Sequence, residues 1–154
     1  MPKLSAGLLM FRRKKGRTEV LLVHPGGPLW KNKDEGAWSV PKGVVEEDED
    51  ILEAAKREFQ EETGIEIKAD EFFPLGSVRL KSGKVVYAWA FEGDCDTSKI
   101  KSNTFTMEWP PRSGKRMEFP EIDRAEWFDL DTARKKINPA QSQFIRELER
   151  VLNS

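Results

Sequence analysis

Three glutamates, Glu58, Glu61 and Glu62, follow Arg57 in the stretch Arg57-Glu58-Phe59-Gln60-Glu61-Glu62-Thr63-Gly64, at positions i, i+3 and i+4. On an α-helix that spacing gathers three carboxylates on one face within a few ångströms of one another, where like charges repel. A cluster of hard oxygens is what magnesium or manganese takes, and an ion held by few carboxylates keeps open positions for phosphate oxygens. Such an ion neutralises phosphate charge and lowers the pKa of bound water, and a further carboxylate can remove the proton from the attacking water. The chemistry indicated is metal-assisted hydrolysis of a pyrophosphate bond. The competing reading is a solvated acidic helix face, with Arg57 and Glu61 as an ion pair worth roughly a few tenths of a kcal/mol.

The elements around this cluster are legible. Asp48, Glu49 and Asp50 precede a run in which Ile51, Ala55 and Phe59 repeat at four-residue spacing, with Leu52 and Ala54 beside them. That pattern predicts an amphipathic helix. Acidic residues in its first turn suit the positive helix end, and Gly64 supplies the left-handed residue that ends many helices.

Extended to both sides, the window from Gly43 to Ile65 reads glycine, five residues, Glu49, seven residues, Arg57-Glu58-Phe59-Gln60-Glu61-Glu62-Thr63-Gly64-Ile65. Its seven fixed identities and two apolar positions resemble the Nudix box, the signature of hydrolases that cleave a nucleoside diphosphate linked to another group X. The flanking glycines and Arg57 at the box offset favour the metal reading over the solvated face. The resemblance implies an α/β fold, a Nudix-type α/β/α sandwich with a mixed β-sheet, and a metal-dependent pyrophosphohydrolase using Mg2+ with Mn2+ as a substitute. It implies Glu58, Glu61 and Glu62 as metal ligands, with Gly43 adding a backbone carbonyl whose close approach the missing side chain permits. Arg57 would orient the carboxylates by charge-assisted hydrogen bonds, and Glu49 would support them. Asp48 stands where many members carry glycine. In related enzymes the catalytic base often lies downstream of the box. Glu121, before Trp127 in Glu121-Ile-Asp-Arg-Ala-Glu-Trp127, is the candidate here, with Glu118 and Glu108 as alternatives.

The box does not specify X. Trp38-Ser-Val-Pro41-Lys42-Gly43 carries Pro-Lys-Gly where many triphosphate- or ADP-sugar-directed members have Pro-Gly-Gly, and in this it is similar to the dinucleoside polyphosphate and diphosphoinositol branch. Lys42 would add a point charge for a long phosphate chain. The segment Lys84 to Trp89 and that from Glu121 to Trp127 are similar in layout to diadenosine tetraphosphate hydrolases, in which a tyrosine and other aromatics help hold adenine. Tyr87 is the sole tyrosine and the candidate for that contact, although strand aromatics are more often core than clamp. Trp30, in the loop Pro25 to Gly36, is a candidate to cap the base or to shield the core. The substrates expected are nucleoside or dinucleoside polyphosphates such as diadenosine tetraphosphate. The alternatives are sanitising of 8-oxo-dGTP or other NTPs, cleavage of ADP-ribose, trimming of triphosphate RNA ends and, in a different class, a binding module that recognises a nucleotide without cleaving it. That module would be expected to have lost box carboxylates, and all are kept.

Other classes are excluded by composition. A length of 154 residues with 38% apolar content suits one domain, 1–154, with one core, and 26 basic against 27 acidic residues leave a net charge of −1. No general nucleic-acid binding is expected at that balance, although Arg12-Arg13-Lys14-Lys15 with Arg17, and Lys31, Lys33 and Lys42, form local basic clusters. Cys95 alone excludes a disulfide and a cysteine zinc site. His24, the sole histidine, leaves none for a serine or cysteine triad. No apolar run approaches the ~20 residues of a membrane span and Met1-Pro-Lys-Leu-Ser lacks a signal core, so a cytoplasmic protein, monomer or homodimer, is expected.

A pass along the chain predicts a hairpin of Leu4 to Phe11 and Glu19 to Val23 about a turn at Lys14 to Arg17, and strands near Glu71 to Arg79, Val85 to Phe91, Thr104 to Trp109 and Glu126 to Leu130. A short helix is predicted over Asp131 to Lys136, starting at Asp131 or Thr132, and a last helix from Pro139 to about Leu152 buries Phe144, Ile145, Leu148 and Val151.

Overall fold

The computed structural model describes residues 4–153; Met1 to Lys3, part of the stretch read above for a signal core, and Ser154 lie outside the described residues. Strands β1 (Leu4–Lys14) and β2 (Arg17–Pro25) form the predicted hairpin, β3 is the short segment Lys42–Val44, and β4 (Phe73–Arg79) and β5 (Val85–Glu92) form a second hairpin. These join β8 (Ile122–Asp129) in a six-stranded sheet, among the described residues, of order β4-β5-β1-β2-β8, with β3 beside the start of β1. β1 and β5 run parallel and the other pairs are antiparallel, so the sheet is mixed.

Both faces of this sheet are covered, which is why β1 and β2 read as continuous apolar runs rather than alternating ones. Leu9, Phe11, Val20 and Leu22 face Ala133 of helix α2 (Leu130–Lys136) and Phe144, Ile145 and Leu148 of helix α3 (Ser142–Leu152). Ala6, Leu8, Met10, Leu21 and Val23 face Ala54, Ala55 and Phe59 of helix α1 (Ile51–Thr63). Phe59 meets Phe91 edge-on at 5.3 Å, and burying such a side chain contributes about 1.5–3 kcal/mol. The result is the α/β/α sandwich expected from the box.

Departures from the sequence reading are local. The helix α1 begins at Ile51, so the acidic run precedes its first turn: the Asp50 side chain caps Glu53 N–H at 3.1 Å, and Gly64 ends the helix at φ +72° with its N–H on Gln60 O. The last helix opens with a 3-10 turn, Pro139–Gln141, because Pro139 has no N–H and Asn138 caps Ala140. α2 starts one residue early, capped by Asp129 through Thr132 N–H. The short β3 and a further strand, β7 (Arg116–Pro120), were not predicted. β7 pairs with β6 (Thr104–Glu108) as a hairpin apart from the main sheet. β3 is only three residues long, and β7 alternates charged and apolar residues over only five, so pairing with β1 and with β6 is what makes them strands.

Asp48 sits at φ +66° in the turn before α1, a conformation that costs an L residue up to about 1–2 kcal/mol and glycine nothing. That accounts for the glycine many family boxes carry there. Asp48→Gly should raise stability by up to about 1 kcal/mol, checked as a shift in the urea midpoint at constant m.

Candidate active site

The site is assembled where β3 crosses the face of α1. Gly43 pairs with Ala6 of β1 and lies directly beneath Glu58. A Cβ on Gly43 would stand 1.9 Å from Glu58 Oε2, so only glycine lets the carboxylate rest on the backbone. Arg57 then ties the cluster together. It donates to both oxygens of Glu49 at 2.8 and 2.9 Å, to Glu58 Oε1 at 2.8 Å, to Glu61 Oε2 at 3.2 Å and to the Val44 carbonyl at 3.1 Å. The hydrogen bond from Arg57 holds the Glu49 carboxyl down at about 2, and that bond with Glu49 foremost raises the Arg57 pKa. Glu49 also accepts Glu46 N–H at 3.0 Å, closing the turn before α1.

Glu62 points from the same helix toward β3 and accepts Lys42 N–H at 3.0 Å. Burial, only partly offset by that bond and the Lys42 charge, pushes its carboxyl up to about 8, with Glu58 and Glu121 adding repulsion. Burial likewise raises Glu58, and Glu61 and Glu121 raise it further. The Lys42 ammonium is pushed down by burial, against the pull of Glu62 and Glu58. Among the described residues no three carboxylates already stand around a common point. Glu58 and Glu61 share the guanidinium and Glu62 holds the strand. The donor set nonetheless fits a hard cation. Its oxygens are carboxylates and, at Gly43, a backbone position open to close approach, and it confines carboxylates so that Glu58 and Glu121 raise the cost of charging Glu62, and Glu61 and Glu121 that of charging Glu58.

Glu121 lies between β7 and β8, where the β2–β8 register slips at Pro25. Its N–H donates to Asn103 O and its carbonyl accepts Gly26 N–H, both at 2.8 Å. A Cβ on Gly26 would meet Pro120 O at 2.0 Å, so glycine is required for this approach. Glu121 borders two cavities. One, of about 150 Å³, also holds Lys42, Glu62, Ser39 and Ile122. The other, of about 360 Å³, is apolar and is walled by Gly26, Gly27, Trp30, Phe105 and Met107. Trp30 is 38% exposed there, with the Lys33 ammonium 5.2 Å from its ring centre.

The other candidates lie elsewhere. Tyr87 is opposite Ala6 on β5, half-buried in the row that carries Trp89 and Phe91 toward α1, and it lines neither cavity because β1 separates it from β3. Glu108 accepts Arg112 and Gly114 N–H, both at 3.1 Å, at the tip of the β6–β7 hairpin, and Glu118 is exposed opposite Thr106 on the same hairpin. Cys95 is pushed up to about 11, by burial first, and so remains a thiol at neutral pH. His24 is wholly buried, its ring nitrogens 2.8 Å from Asp123 Oδ1 and 2.6 Å from Lys33 O, which clamps the Trp30 loop onto β8. Neither this clamp nor the wall formed by Phe105 and Met107 is legible in local pattern, since the partners are remote along the chain. No helix among the described residues is long and apolar enough to cross a membrane.

This combination of a mixed-sheet sandwich and a carboxylate-bearing helix packed under a glycine strand defines a class. The NUDIX domain family matches residues 1–148, and the chain belongs to that family of hydrolases. It is 32% identical over 146 residues to an RNA pyrophosphohydrolase of Bartonella henselae, a match covering 83% of this chain and 76% of that one. Among solved structures it is similar to a C. elegans Ap4A hydrolase binary complex, with a TM-score of 0.71 at 22% identity over 97% of this chain and 98% of the other. It is also similar to the NUDIX domain of Shewanella oneidensis NrtR complexed with ADP ribose, with a TM-score of 0.66 at 18% identity over 99% and 89%. At these identities the structural likenesses speak for the fold.

Gly43→Ala should displace the Glu58 carboxylate while leaving the core untouched. Hydrolysis of nucleotide substrates should fall on the order of 100-fold with the melting temperature nearly unchanged, since a misplacement of about 1 Å has that effect.

Proposed function

We propose that the protein is a metal-dependent pyrophosphohydrolase of nucleoside polyphosphates, taking magnesium or, in its place, manganese. The observation that carries this is the position of Glu121 at the junction of an apolar cavity fit for a base and a smaller one lined by Glu62 and Lys42. Glu58, Glu61, Glu62 and the Gly43 carbonyl would hold the metal, which when bound neutralises phosphate oxygens and acidifies water. Arg57 keeps Glu58 and Glu61 in place through its hydrogen bonds. Glu121 takes the proton from the attacking water, its carboxylate aimed by a backbone fixed at both N–H and carbonyl. Lys42, in the lining of the smaller cavity beside Glu62 and Glu121, attracts the phosphate chain. Trp30, with Phe105 across the cavity, offers the base an aromatic face worth about 1–3 kcal/mol.

Dinucleoside polyphosphates are the substrates that Pro41-Lys42-Gly43 favours, and the name of the Bartonella relative favours a second reading, removal of pyrophosphate from RNA ends. A panel of dinucleoside polyphosphates, NTPs, oxidised dNTPs, ADP-ribose and 5′-triphosphorylated RNA, assayed with magnesium and with manganese for product identity, should show phosphoanhydride cleavage that Glu61→Gln abolishes. Turnover of none with either ion would return the protein to nucleotide binding alone. Diadenosine tetraphosphate yielding ATP and AMP would support the first reading.

Glu121→Gln should lower kcat by about 100-fold or more with little change in KM, because a base acts on the transition state. Should Glu118→Gln show that loss instead, the base lies on the hairpin.

A further inference from the structure

The β6–β7 hairpin stands outside the main sheet, and its two faces differ in kind. Phe105 pairs with Phe119 and Met107 with Met117, their side chains sharing one face, and the row continues to Trp109, whose N–H bonds Lys115 O. The Phe105 and Phe119 rings are 6.0 Å apart. Thr106, Glu108, Arg116 and Glu118 take the opposite face. The aromatic row starts in the wall of the Trp30 cavity, at Phe105 and Met107, and leads away from it for roughly 13 Å at strand spacing. Met117, halfway along, is 45% exposed. A two-stranded ribbon is marginal alone, and the apolar row on it is only partly covered: Phe105, Met107, Trp109 and Phe119 are half-buried and Met117 is exposed.

The charge around this row is one-sided. Arg112 and Lys115 at the tip are exposed and, among the described residues, neither side chain has an ion-pair or hydrogen-bond partner. The nearest carboxylate, Glu108, is turned back onto the tip's own N–H groups. Arg116 reaches Thr106 Oγ1 rather than an acid. Across the cavity Lys33 lies over Trp30. Aromatic and thioether faces in a row, ending in unpaired cations, are the arrangement that holds successive bases and their phosphodiesters in a single strand.

We propose that this hairpin face is a binding surface for the nucleotides that follow the terminal one, so that the group X of the substrate is a single-stranded polynucleotide with its polyphosphate end at Glu121. This rests on the proposed function for the terminal nucleotide and adds a surface beyond the catalytic cavity. The terminal base occupies the Trp30 cavity, the next bases lie along Met107, Met117 and Trp109, and Arg112 and Lys115 take their phosphates. The overall charge of −1 keeps the attraction local.

The test uses the full-length protein and a short 3′-labelled, 5′-triphosphorylated oligoribonucleotide, with binding read by fluorescence anisotropy across a salt series and hydrolysis read separately on that oligonucleotide and on a free NTP. Arg112→Glu/Lys115→Glu should weaken oligonucleotide binding about 10-fold or more and reduce the salt slope by about two. Turnover of the free NTP should stay unchanged, and Met117→Ser should weaken oligonucleotide binding without altering the salt slope. Equal losses on NTP and oligonucleotide, or unchanged oligonucleotide binding, would overturn the assignment. So would loss of diadenosine tetraphosphate binding to the same extent, which would make the row a seat for a second nucleoside, or self-association abolished by Met117→Arg with oligonucleotide binding intact. Salt-sensitive binding without hydrolysis of any substrate would sustain the surface and sink the hydrolase reading, whereas NTP hydrolysis with binding indifferent to Arg112 and Lys115 would do the reverse.

Discussion

The guanidinium of Arg57 is the point on which the site depends. One cation on α1 satisfies Glu49 from the preceding turn, Glu58 and Glu61 from its own helix and the Val44 carbonyl at the end of β3. A planar fork with five donors can serve four partners at once, which the point charge of lysine cannot. Without it, Glu58 would be a half-buried charge beside Glu61 and near Glu121, with nothing to offset its desolvation. The hub therefore fixes the turn, the strand end and the carboxylates together, and it explains why Glu49 matters while standing outside the cluster of three.

Steric need reinforces the electrostatics at two glycines. Gly43 brings backbone under Glu58 and Gly26 brings it against Pro120, so two segments remote in sequence reach the same small volume. The sheet supplies the frame for both. Ala6 of β1 sets Gly43 through β3, and Pro25 at the end of β2 sets Ile122 at the start of β8. Gly43 and Glu121 thus sit at or beside the ends of strand segments that are paired with the buried strands β1 and β2.

What could be read from the chain follows the range of the interaction. The α1 helix, its Gly64 stop, the β1–β2 hairpin and the apolar stripe of α3 are encoded by residues a few positions apart, and periodicity exposes them. The i,i+4 bond from Arg57 to Glu61 is of the same kind. Glu62 was placed with the other two carboxylates by spacing, whereas it bonds Lys42 N–H twenty residues away, a contact that local pattern does not carry. The short β3 is fixed by pairing with β1, β7 by its hairpin with β6, and the Trp30 cavity by segments remote in the chain, none of which a local pattern carries. Tyr87 illustrates the other limit: its identity suggests a ring for stacking, while its row on β5, opposite Ala6 of β1, is set by strand register, which identity does not carry.

The bond from Gly26 N–H to the Glu121 carbonyl joins the loop that carries Trp30 to the residue that borders both cavities. A guest that presses on Trp30 pulls on a segment only a few peptide units from this anchor, and the His24 clamp at Lys33 holds its far end. Under the proposed function, recognition of the ring system and aim of the proton acceptor would in this way be mechanically geared through the short segment from Gly26 to Trp30.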